Sequence, residues 1–234
     1  MNSTLPQLLQ DISAPVSFGL DVQRPWELET RSTGDVLVDI RGGAWREAIL
    51  HLRSLVPDSE TQREAKRQLP YACWSGTFRR RENEGLIQHS GQIGVDLDHL
   101  SNADGTKAIQ DAVADPFCLA AFRSARGGGV RLLFCIPPCN ARAHDAIFEQ
   151  VAEHIRNTYG HDPDTSARDV SRASFVSFDE GLWCRPNAKI LPVLLDGMSH
   201  SEAVPLSRCV TSVVYSGQLA LTPWVWMGRY HAGI

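Results

Sequence analysis

The chain has 234 residues, of which 43% are hydrophobic and 21% are charged, which are ordinary proportions for a globular protein with a sizeable core. No apolar run approaches the roughly 20 residues that a membrane-spanning helix needs, and residues 1–10 lack the basic start and apolar stretch of a signal peptide. We therefore expect a cytoplasmic protein with no membrane partner. Because the net charge is −4, any nucleic-acid interface has to be local.

The elements are predicted from hydrophobic spacing and turn residues. Residues 1–34 are expected to be irregular, because prolines and a glycine punctuate them. The elements predicted after that segment are, in chain order, a strand or the start of a helix at 36–40, helices at 44–55 and 59–68, extended chain at 71–78, strands at 86–89 and 91–97, a helix at 106–113, strands at 119–123 and 130–136, a helix at 141–158, and strands at 175–178 and 190–195.

Strands that alternate with helices, together with a hairpin, predict an α/β or α+β domain with a mixed or antiparallel sheet. We place the main domain at 36–195, an irregular segment at 1–35 and a C-terminal extension at 196–234. Trp224 and Trp226 in that extension are expected to pack against something, since they are unusual in a free tail.

The six cysteines are scattered without a CxxC pair, so we expect no disulfide framework. Cys135 and Cys139 flank Ile-Pro-Pro. A zinc site there would need two more ligands at a similar spacing, and the sequence shows none.

Residues 41–81 form a locally basic stretch, with nine Lys or Arg against four acidic residues. It contains Lys66 and ends in Arg79, Arg80 and Arg81. Three adjacent arginines repel one another, and a polyanion would relieve that repulsion. The stretch therefore indicates nucleic-acid binding, although a solvated helix face would have the same composition.

The first chemical motif is Asp96-Leu-Asp98, which follows the apolar strand 91–97. Residues i and i+2 of a strand point to one face, so the two carboxylates project together while Val95 and Leu97 face the core. Two adjacent carboxylates repel unless a cation lies between them, and oxygen ligands suit Mg²⁺ or Mn²⁺. A solvent-facing strand end is the alternative.

The second motif is a glycine-rich turn that runs from Ser124 through Gly127, Gly128 and Gly129 to Arg131. Adjacent glycines let the backbone approach a ligand and expose N–H groups, and arginine binds phosphate with two hydrogen bonds. Together with Arg123 and Arg126, Arg131 is expected to surround a phosphate-sized space. The alternative is a flexible hairpin tip.

The third motif is an acidic and basic segment before the strand at 175–178. Asp164 or Asp169 can supply the third carboxylate of a two-metal site, and Arg172 can hold a phosphate. An ordinary polar loop with internal salt bridges is the alternative.

Taken together, these motifs resemble those of the archaeo-eukaryotic primase superfamily, the primase-polymerases. The closest likeness is to the N-terminal domain of virulence-associated protein E-like proteins of mobile elements. The resemblance covers roughly residues 36–190. Its motifs are Lys66-Arg-Gln-Leu-Pro70 with Trp74-Ser-Gly-Thr-Phe78, Asp96-Leu-Asp98, Ser124 to Arg131, Asp164, and Arg172 to Asp179.

The resemblance implies an RRM-like antiparallel sheet with flanking helices and a nucleotidyltransferase that acts in phage or mobile-element replication. Asp96, Asp98 and Asp164, with Asp169 as an alternative to the last, would bind two Mg²⁺ or Mn²⁺ ions. Nucleotide-binding residues would be Ser124, Gly127, Gly129, Arg131 and Arg172, and the single-stranded DNA template would meet Lys66, Arg79, Arg80 and Arg81. NTP or dNTP would be the substrate, and any helicase would be a separate chain.

The sequence departs from that family at Arg131, where the superfamily has histidine. Arginine keeps the charge but cannot carry a proton. A decayed nucleic-acid-binding module of a mobile element is therefore the main alternative. A nuclease or glycosyltransferase that uses the acidic pair is a third reading.

Overall fold

A computed structural model describes residue 9 and residues 11–194 of the chain. The predicted C-terminal extension, with Trp224 and Trp226, lies outside the described residues. Within them the protein is an α+β structure with antiparallel sheets and five helices. None of these helices is long and apolar enough to cross a membrane.

The helices and strands are numbered in chain order. The strands are β1 (Pro15–Gly19), β2 (Leu28–Ser32), β3 (Tyr71–Cys73), β4 (Gly76–Phe78), β5 (Leu86–His89), β6 (Gln92–Leu97), β7 (Cys118–Arg123), β8 (Val130–Cys135), β9 (Ser174–Phe175) and β10 (Trp183–Cys184). The helices are α1 (Thr33–Gly42), α2 (Arg46–Ser54), α3 (Glu60–Arg67), α4 (Asn102–Ala114) and α5 (Ala141–Tyr159).

Three sheets make up the β structure of the described residues. The first has the strand order β10-β7-β8-β6, the second has the order β2-β1-β3-β9, and β4 pairs with β5. All of the pairings are antiparallel.

The central sheet β10-β7-β8-β6 is buried on both faces. Successive side chains of a strand point to opposite faces, so each strand contributes to two cores. Leu132 and Phe134 pack in a core cluster with residues of α4 and α5. Leu133 and Cys135, one position along, pack in a second cluster with residues of α1 and α2. The continuous apolar runs of β7 and β8 are the sequence sign of this double burial.

Four of the five helices begin at a side-chain cap. Ser32, Ser59, Ser101 and Asn140 accept a hydrogen bond from the backbone N–H three residues on, at the starts of α1, α3, α4 and α5. Such caps satisfy N–H groups that the helix cannot. Glycines in the left-handed region, Gly43 and Gly160, follow α1 and α5, where a residue with a Cβ would be strained.

The prediction that residues 1–34 are irregular is wrong. β1 and β2 form a hairpin, and β1 also pairs with β3. Val16 and Phe18 of β1 are buried in a core cluster with residues of α1, β7 and β8. Residues 15–32 therefore belong to the same folded unit as the sheets, and the predicted boundary at 36 does not separate them from it.

The segment at 36–40, predicted as a strand or the start of a helix, is helical and lies within α1. Two other predictions need correction. The predicted strand at 175–178 shrinks to β9, which ends at Phe175, and no strand occupies 190–194. The other predicted elements are confirmed with bounds that shift by one or two residues, except that α4 begins four residues earlier than predicted.

Candidate metal and phosphate site

Side chains from distant parts of the sequence line one cleft, whose volume is about 510 Å³. That volume suits a ligand of nucleotide size. The cleft lies beside the end of β6, the turn between β7 and β8, and α3. Its charged lining residues are Arg53, Lys66, Arg126, Arg131 and Arg172, with Asp58, Asp96, Asp98 and Asp164.

Asp96 lies on β6 directly opposite Arg131 of β8. Arg131 Nε donates to Asp96 Oδ1 at 2.6 Å, and its Nη2 donates to Oδ2 at 2.9 Å. Burial alone would raise the pKa of the Asp96 carboxyl, but the Arg131 guanidinium holds that pKa below its ordinary value. Asp96 is therefore an ionised carboxylate already neutralised by a cation.

Asp98 follows β6 on the face that Asp96 shares. Partial removal of its carboxyl group from water, followed by the charges of Asp96 and Asp164, raises the pKa of Asp98. No hydrogen bond or ion pair to its carboxylate is seen among residues 11–194. Asp98 is thus the carboxylate of the cleft that would gain most from a bound cation.

Asp164 reaches the cleft from a loop that is tied to β6. Its backbone N–H donates to the Asp96 carbonyl at 2.9 Å, and its side chain accepts from the N–H and hydroxyl of Ser166. Asp169 lines instead a smaller cavity behind Asp96. Asp164 therefore lines the cleft together with Asp98, whereas Asp169 lines the smaller cavity, which shares Asp96 and Arg172 with the cleft.

The glycine-rich turn packs against the end of β6. A Cβ on Gly129 would lie 2.5 Å from the Leu97 carbonyl oxygen and 3.0 Å from Asp98 Oδ1, so a side chain there would displace the acidic pair. Gly127 has φ +83°, and its N–H donates to the Ser124 carbonyl. The turn is thus shaped largely by protein packing, while Ser124 and Gly128 face the cleft.

Arg53 of α2 holds this turn in place and was not identified from the sequence. Its guanidinium donates to the carbonyl oxygens of Ser124, Ala125 and Phe178, and to the Ser177 hydroxyl, at 3.0–3.2 Å. One side chain thereby joins α2, the turn and the segment after β9. Only the guanidinium plane offers this set of donors.

Replacing Arg53 with lysine is expected to lower the free energy of unfolding by about 2 kcal/mol, because an ammonium cannot reach all four acceptors and some carbonyls lose a charged donor. Urea denaturation of the variant measures this change. Arg63→Lys is the matched control, since the Arg63 side chain is exposed and pairs with the exposed Glu60 on the same helix, and it should change stability by less than about 0.5 kcal/mol. Equal stability of Arg53→Lys and Arg63→Lys would contradict the role of Arg53.

Lys66 of α3 lies in the cleft rather than on an outer surface. Its ammonium nitrogen is 5.5 Å from the centre of the Phe175 ring. Burial, followed by the positive charges of Arg126 and Arg131, lowers the pKa of Lys66, although Asp96 and Asp98 oppose that shift. A bound polyanion would relieve the repulsion among these three cations.

Two more of the arginines predicted to bind phosphate, Arg126 and Arg172, border the cleft, whereas Arg123 does not. Arg172 donates to the Ser166 carbonyl and lies 3.8 Å from Asp164 Oδ2, and Arg126 pairs with Asp58. Arg123 directs its guanidinium to Asn102 and Thr106 at the start of α4. The prediction that Arg123 faces the phosphate space is therefore wrong.

None of the three adjacent arginines at 79–81 lines the cleft. Arg79 and Arg80 are exposed, and Arg80 lies over the exposed Trp26 ring, 5.9 Å from its centre. Arg81 is half-buried over the Tyr71 ring and donates to the Val22 carbonyl. Of these three arginines, Arg79 and Arg80 have side chains that are accessible to a nucleic acid outside the cleft.

The acidic residues offer oxygen ligands for a hard divalent cation, but in the described part of the chain Asp96, Asp98 and Asp164 do not form a group whose three ligand atoms all lie within 4.8 Å of one another. Asp98 and Asp164 border the cleft and offer carboxylate oxygens, the type of ligand that Mg²⁺ and Mn²⁺ prefer. Both oxygens of Asp96 already accept hydrogen bonds from Arg131, although each carboxylate oxygen keeps a second lone pair. A cation held chiefly by Asp98 and Asp164 thus fits the arrangement better than one that needs Asp96 fully free.

A second group of metal-type ligands lies outside the cleft, and sequence reasoning missed it. In the described part of the chain, His89, Cys139 and His144 alone form a group of three His, Cys, Asp or Glu residues whose ligand atoms lie within 4.8 Å of one another. His89 and His144 are 55 positions apart in the sequence, so no local spacing indicates the group. The sequence indicated Cys139 as a zinc ligand only together with Cys135, and it showed no further ligands for that pair.

The chain was compared with known proteins. The family model described as "BT4734-like, N-terminal domain" matches residues 64–183, slightly more than half of the chain. That range includes Lys66, the acidic pair, the glycine-rich turn and Arg172. No curated protein and no solved structure gives a significant match. The chain therefore belongs to the family of BT4734-like N-terminal domains.

Proposed function

We propose that the chain is a metal-dependent nucleotidyltransferase of the primase-polymerase type, which adds nucleotides on a single-stranded template. The observation that carries this proposal is the convergence of three sequence motifs on one cleft. Asp98, Ser124 and Asp164 come from three separate segments and line the same space. The turn lies there because β8 pairs with β6, and a backbone hydrogen bond from Asp164 to Asp96 brings the third segment to the same place.

The charges of the cleft support a triphosphate ligand. Five cationic side chains and four carboxylates line it, and burial, followed by the positive charges of Arg126 and Arg131, lowers the pKa of Lys66. A triphosphate with a divalent ion brings both signs of charge and would satisfy both sets. A cleft built only to bind a simple anion would not need Asp98 beside Asp96 and Asp164.

Each side chain then has a role in the proposed reaction. Lys66, Arg126 and Arg172 bind phosphate oxygens and offset their charge. Asp98 and Asp164 would hold the divalent ion, which supplies charge neutralisation and alignment for attack of a 3′-hydroxyl on the α-phosphate. Arg53 keeps the turn at Ser124 in register with the acidic strand end.

The order of elements supports the same superfamily. The segment β6-α4-β7-β8-α5-β10 has the strand-helix order of a split βαβ sheet. β6 and β7, joined through α4, are separated in the sheet by β8. An RRM-like arrangement of β6, α4, β7 and β8 is therefore part of the proposal, whereas β10 pairs with β7 and not, like the fourth strand of that fold, with the first strand β6.

Incorporation of labelled NTPs and dNTPs by the purified chain tests the proposal. On single-stranded DNA templates, with Mn²⁺ or Mg²⁺, we expect products whose composition follows the template, and none in EDTA. Reactions with and without a primer distinguish extension from new synthesis. A folded chain that incorporates neither nucleotide type on any template, with either metal, would contradict the proposal.

A second candidate function follows from the Asp96–Arg131 ion pair. At the position where the resemblance to the primase-polymerase superfamily implies a histidine, the chain carries Arg131, which donates to both oxygens of a predicted metal ligand, Asp96. This favours a decayed module that binds nucleic acid without catalysis. Such a module would bind single-stranded DNA but show no metal-dependent affinity for NTP in equilibrium dialysis, whereas the proposed enzyme would show both.

The double variant Arg79→Gln/Arg80→Gln is expected to weaken binding to single-stranded DNA at every sequence. The dependence of log K on log salt should become shallower by about 0.7 for each phosphate that the variant no longer neutralises. Fluorescence anisotropy over a salt series measures both quantities. Arg142→Gln on the exposed side of α5 is the control, and an equal weakening in that variant would contradict a localised interface.

A further inference from the structure

His89, Cys139 and His144 meet in the interior, away from the cleft. His89 ends β5, His144 lies in the first turn of α5, and Cys139 immediately precedes the cap residue of that helix. Each of the three residues is at most 5% exposed. Three metal-type side chains from two distant segments are thus brought together out of contact with bulk water.

The contacts of the two rings define the geometry. His89 Nε2 lies 3.0 Å from His144 Nδ1, and His144 Nε2 lies 3.4 Å from the Ser75 hydroxyl. A histidine that binds a metal through one ring nitrogen usually directs the other to a polar partner. For His144 that partner is Ser75, which leaves Nδ1 facing the group.

The protonation states favour metal binding by the rings. Burial lowers the pKa of His89 to about 4, and burial together with the neighbouring His89 lowers the pKa of His144 to about 3. Both imidazoles are therefore neutral near pH 7, as metal ligands must be. Burial raises the pKa of the Cys139 thiol to about 12, so this ligand keeps its proton until a cation displaces it.

We propose that His89, Cys139 and His144 form a binding site for a zinc-class transition metal ion, separate from the acidic cleft and independent of the proposed function. Two imidazoles and one thiolate suit such an ion, whereas Mg²⁺ and Mn²⁺ prefer oxygen. On binding, the thiol proton leaves to solvent and the ion takes three protein ligands. A water molecule completes the fourth position of the tetrahedron.

Binding has one identifiable cost. The Gly91 N–H donates to His89 Nδ1 at 2.9 Å, which places the ring proton of neutral His89 on Nε2, towards His144. An ion on Nε2 moves that proton to Nδ1, so the Gly91 hydrogen bond has to be given up. Gly91 has φ +75° in the turn between β5 and β6, where a glycine peptide can reorient, and three metal–ligand bonds outweigh one hydrogen bond.

The position of the group indicates what a bound ion would stabilise. His144 and Ser75 line a small cavity together with Asp96, Asp169 and Arg172. An ion at the group would tie β5 to the start of α5 and thereby support the wall behind Asp96. Its effect on the cleft would be structural, since none of its three ligands lines the cleft.

Metal analysis of the full chain, produced without a histidine tag, tests the site. After gel filtration in excess Mg²⁺, which saturates the carboxylates, we expect one zinc per chain. Titration of metal-free protein with Co²⁺ should give the thiolate-to-cobalt charge-transfer band of a Cys-ligated ion, and zinc should raise the thermal midpoint. A wild-type chain with no Mg²⁺-resistant zinc and no such band would overturn the proposal, and the buried rings would then form only a hydrogen-bond chain.

Variants localise the ion. Cys139→Ser and His144→Gln should lose the retained zinc, and Cys139→Ser should also lose the charge-transfer band, whereas Cys184→Ser, at another buried cysteine, should keep both. A charge-transfer band that persists in Cys139→Ser would overturn the proposal. If a variant does not fold, the wild-type cobalt spectrum and the zinc-dependent thermal midpoint still decide the question.

Discussion

Replacing Asp98 with asparagine is expected to reduce metal-dependent nucleotide incorporation by at least about a hundredfold, the usual consequence of removing a group that acts on the charge of the transition state. Asp98 is the carboxylate with a raised pKa and with Asp96 and Asp164 nearby. Asparagine keeps its shape but removes the charge that a divalent ion would neutralise. Initial rates of labelled nucleotide incorporation at saturating Mn²⁺ measure the loss.

The loss of nucleotide incorporation in Asp98→Asn has to be distinguished from a loss of folded protein. Because the folded-state pKa of Asp98 is raised, its ionisation opposes folding at neutral pH, and this penalty is relieved as the pH falls through that raised pKa. Asp98→Asn should therefore be at least as stable as the wild type at pH 7. Asp145→Asn is the control, since Asp145 is 57% exposed and pairs with Arg168 outside the cleft. Full activity of Asp98→Asn, or an equal loss in Asp145→Asn, would contradict the assignment.

Replacing Arg131 with methionine is expected to lower the free energy of unfolding by about 3 kcal/mol, because it leaves a carboxylate unpaired in a largely buried position. The side chains of Arg131 and Asp96 are only 9% and 17% exposed. The double variant Asp96→Asn/Arg131→Met should recover much of the loss, since no unpaired charge remains. Urea denaturation of the wild type, of Asp96→Asn, of Arg131→Met and of the double variant gives a double-mutant cycle for this ion pair.

The same variant reports whether Asp96 can accept a metal ion. Without Arg131, Mn²⁺ becomes the available partner for Asp96, so Mn²⁺ should stabilise Arg131→Met more than the wild type. The pKa of Asp96 is lowered in the folded chain. The ionised Asp96 in its pair with Arg131 therefore stabilises the wild-type fold at neutral pH, and this stabilisation is lost as the pH falls below the ordinary range of an aspartate. If Arg131→Met is as stable as the wild type, the Asp96–Arg131 ion pair does not stabilise the fold. If Mn²⁺ does not stabilise the variant more than the wild type, Asp96 does not bind the metal ion when Arg131 is absent.

Periodicity predicted the elements that are buried on one side or both. The 141–158 prediction matches α5 because an apolar stripe runs along its length, and the alternation before Asp96 matches β6. β2 was missed because it is an edge strand with a polar, exposed sequence, Leu28–Ser32. α1 was ambiguous because Val36, Val38 and Ile40, three of its four large apolar residues, are β-branched, although Ser32 as cap and Gly43 after its end were helix signals.

The site was predicted in its parts but not in its connections. Strand alternation placed Asp96 and Asp98 on one face, as the structure has them. The pairing of Asp96 with Arg131 follows from the register of β6 and β8, which no single sequence reveals. Arg53 looked like an ordinary residue of a basic helix, because its four acceptors come from segments more than 70 positions away. The proximity of His89 and Cys139 could not be predicted either, because the two residues lie in separate segments of the sequence.

The most direct measurement is a crystal structure of the chain with Mn²⁺ and a non-hydrolysable nucleoside triphosphate, in which the anomalous signal locates the metal. The account predicts a Mn²⁺ peak about 2.1–2.2 Å from carboxylate oxygens of Asp98 and Asp164, in the range for hard divalent ions, with the phosphates against Lys66 and Arg172. A metal and nucleotide bound elsewhere, or a cleft that takes up neither at saturating concentration, would contradict it.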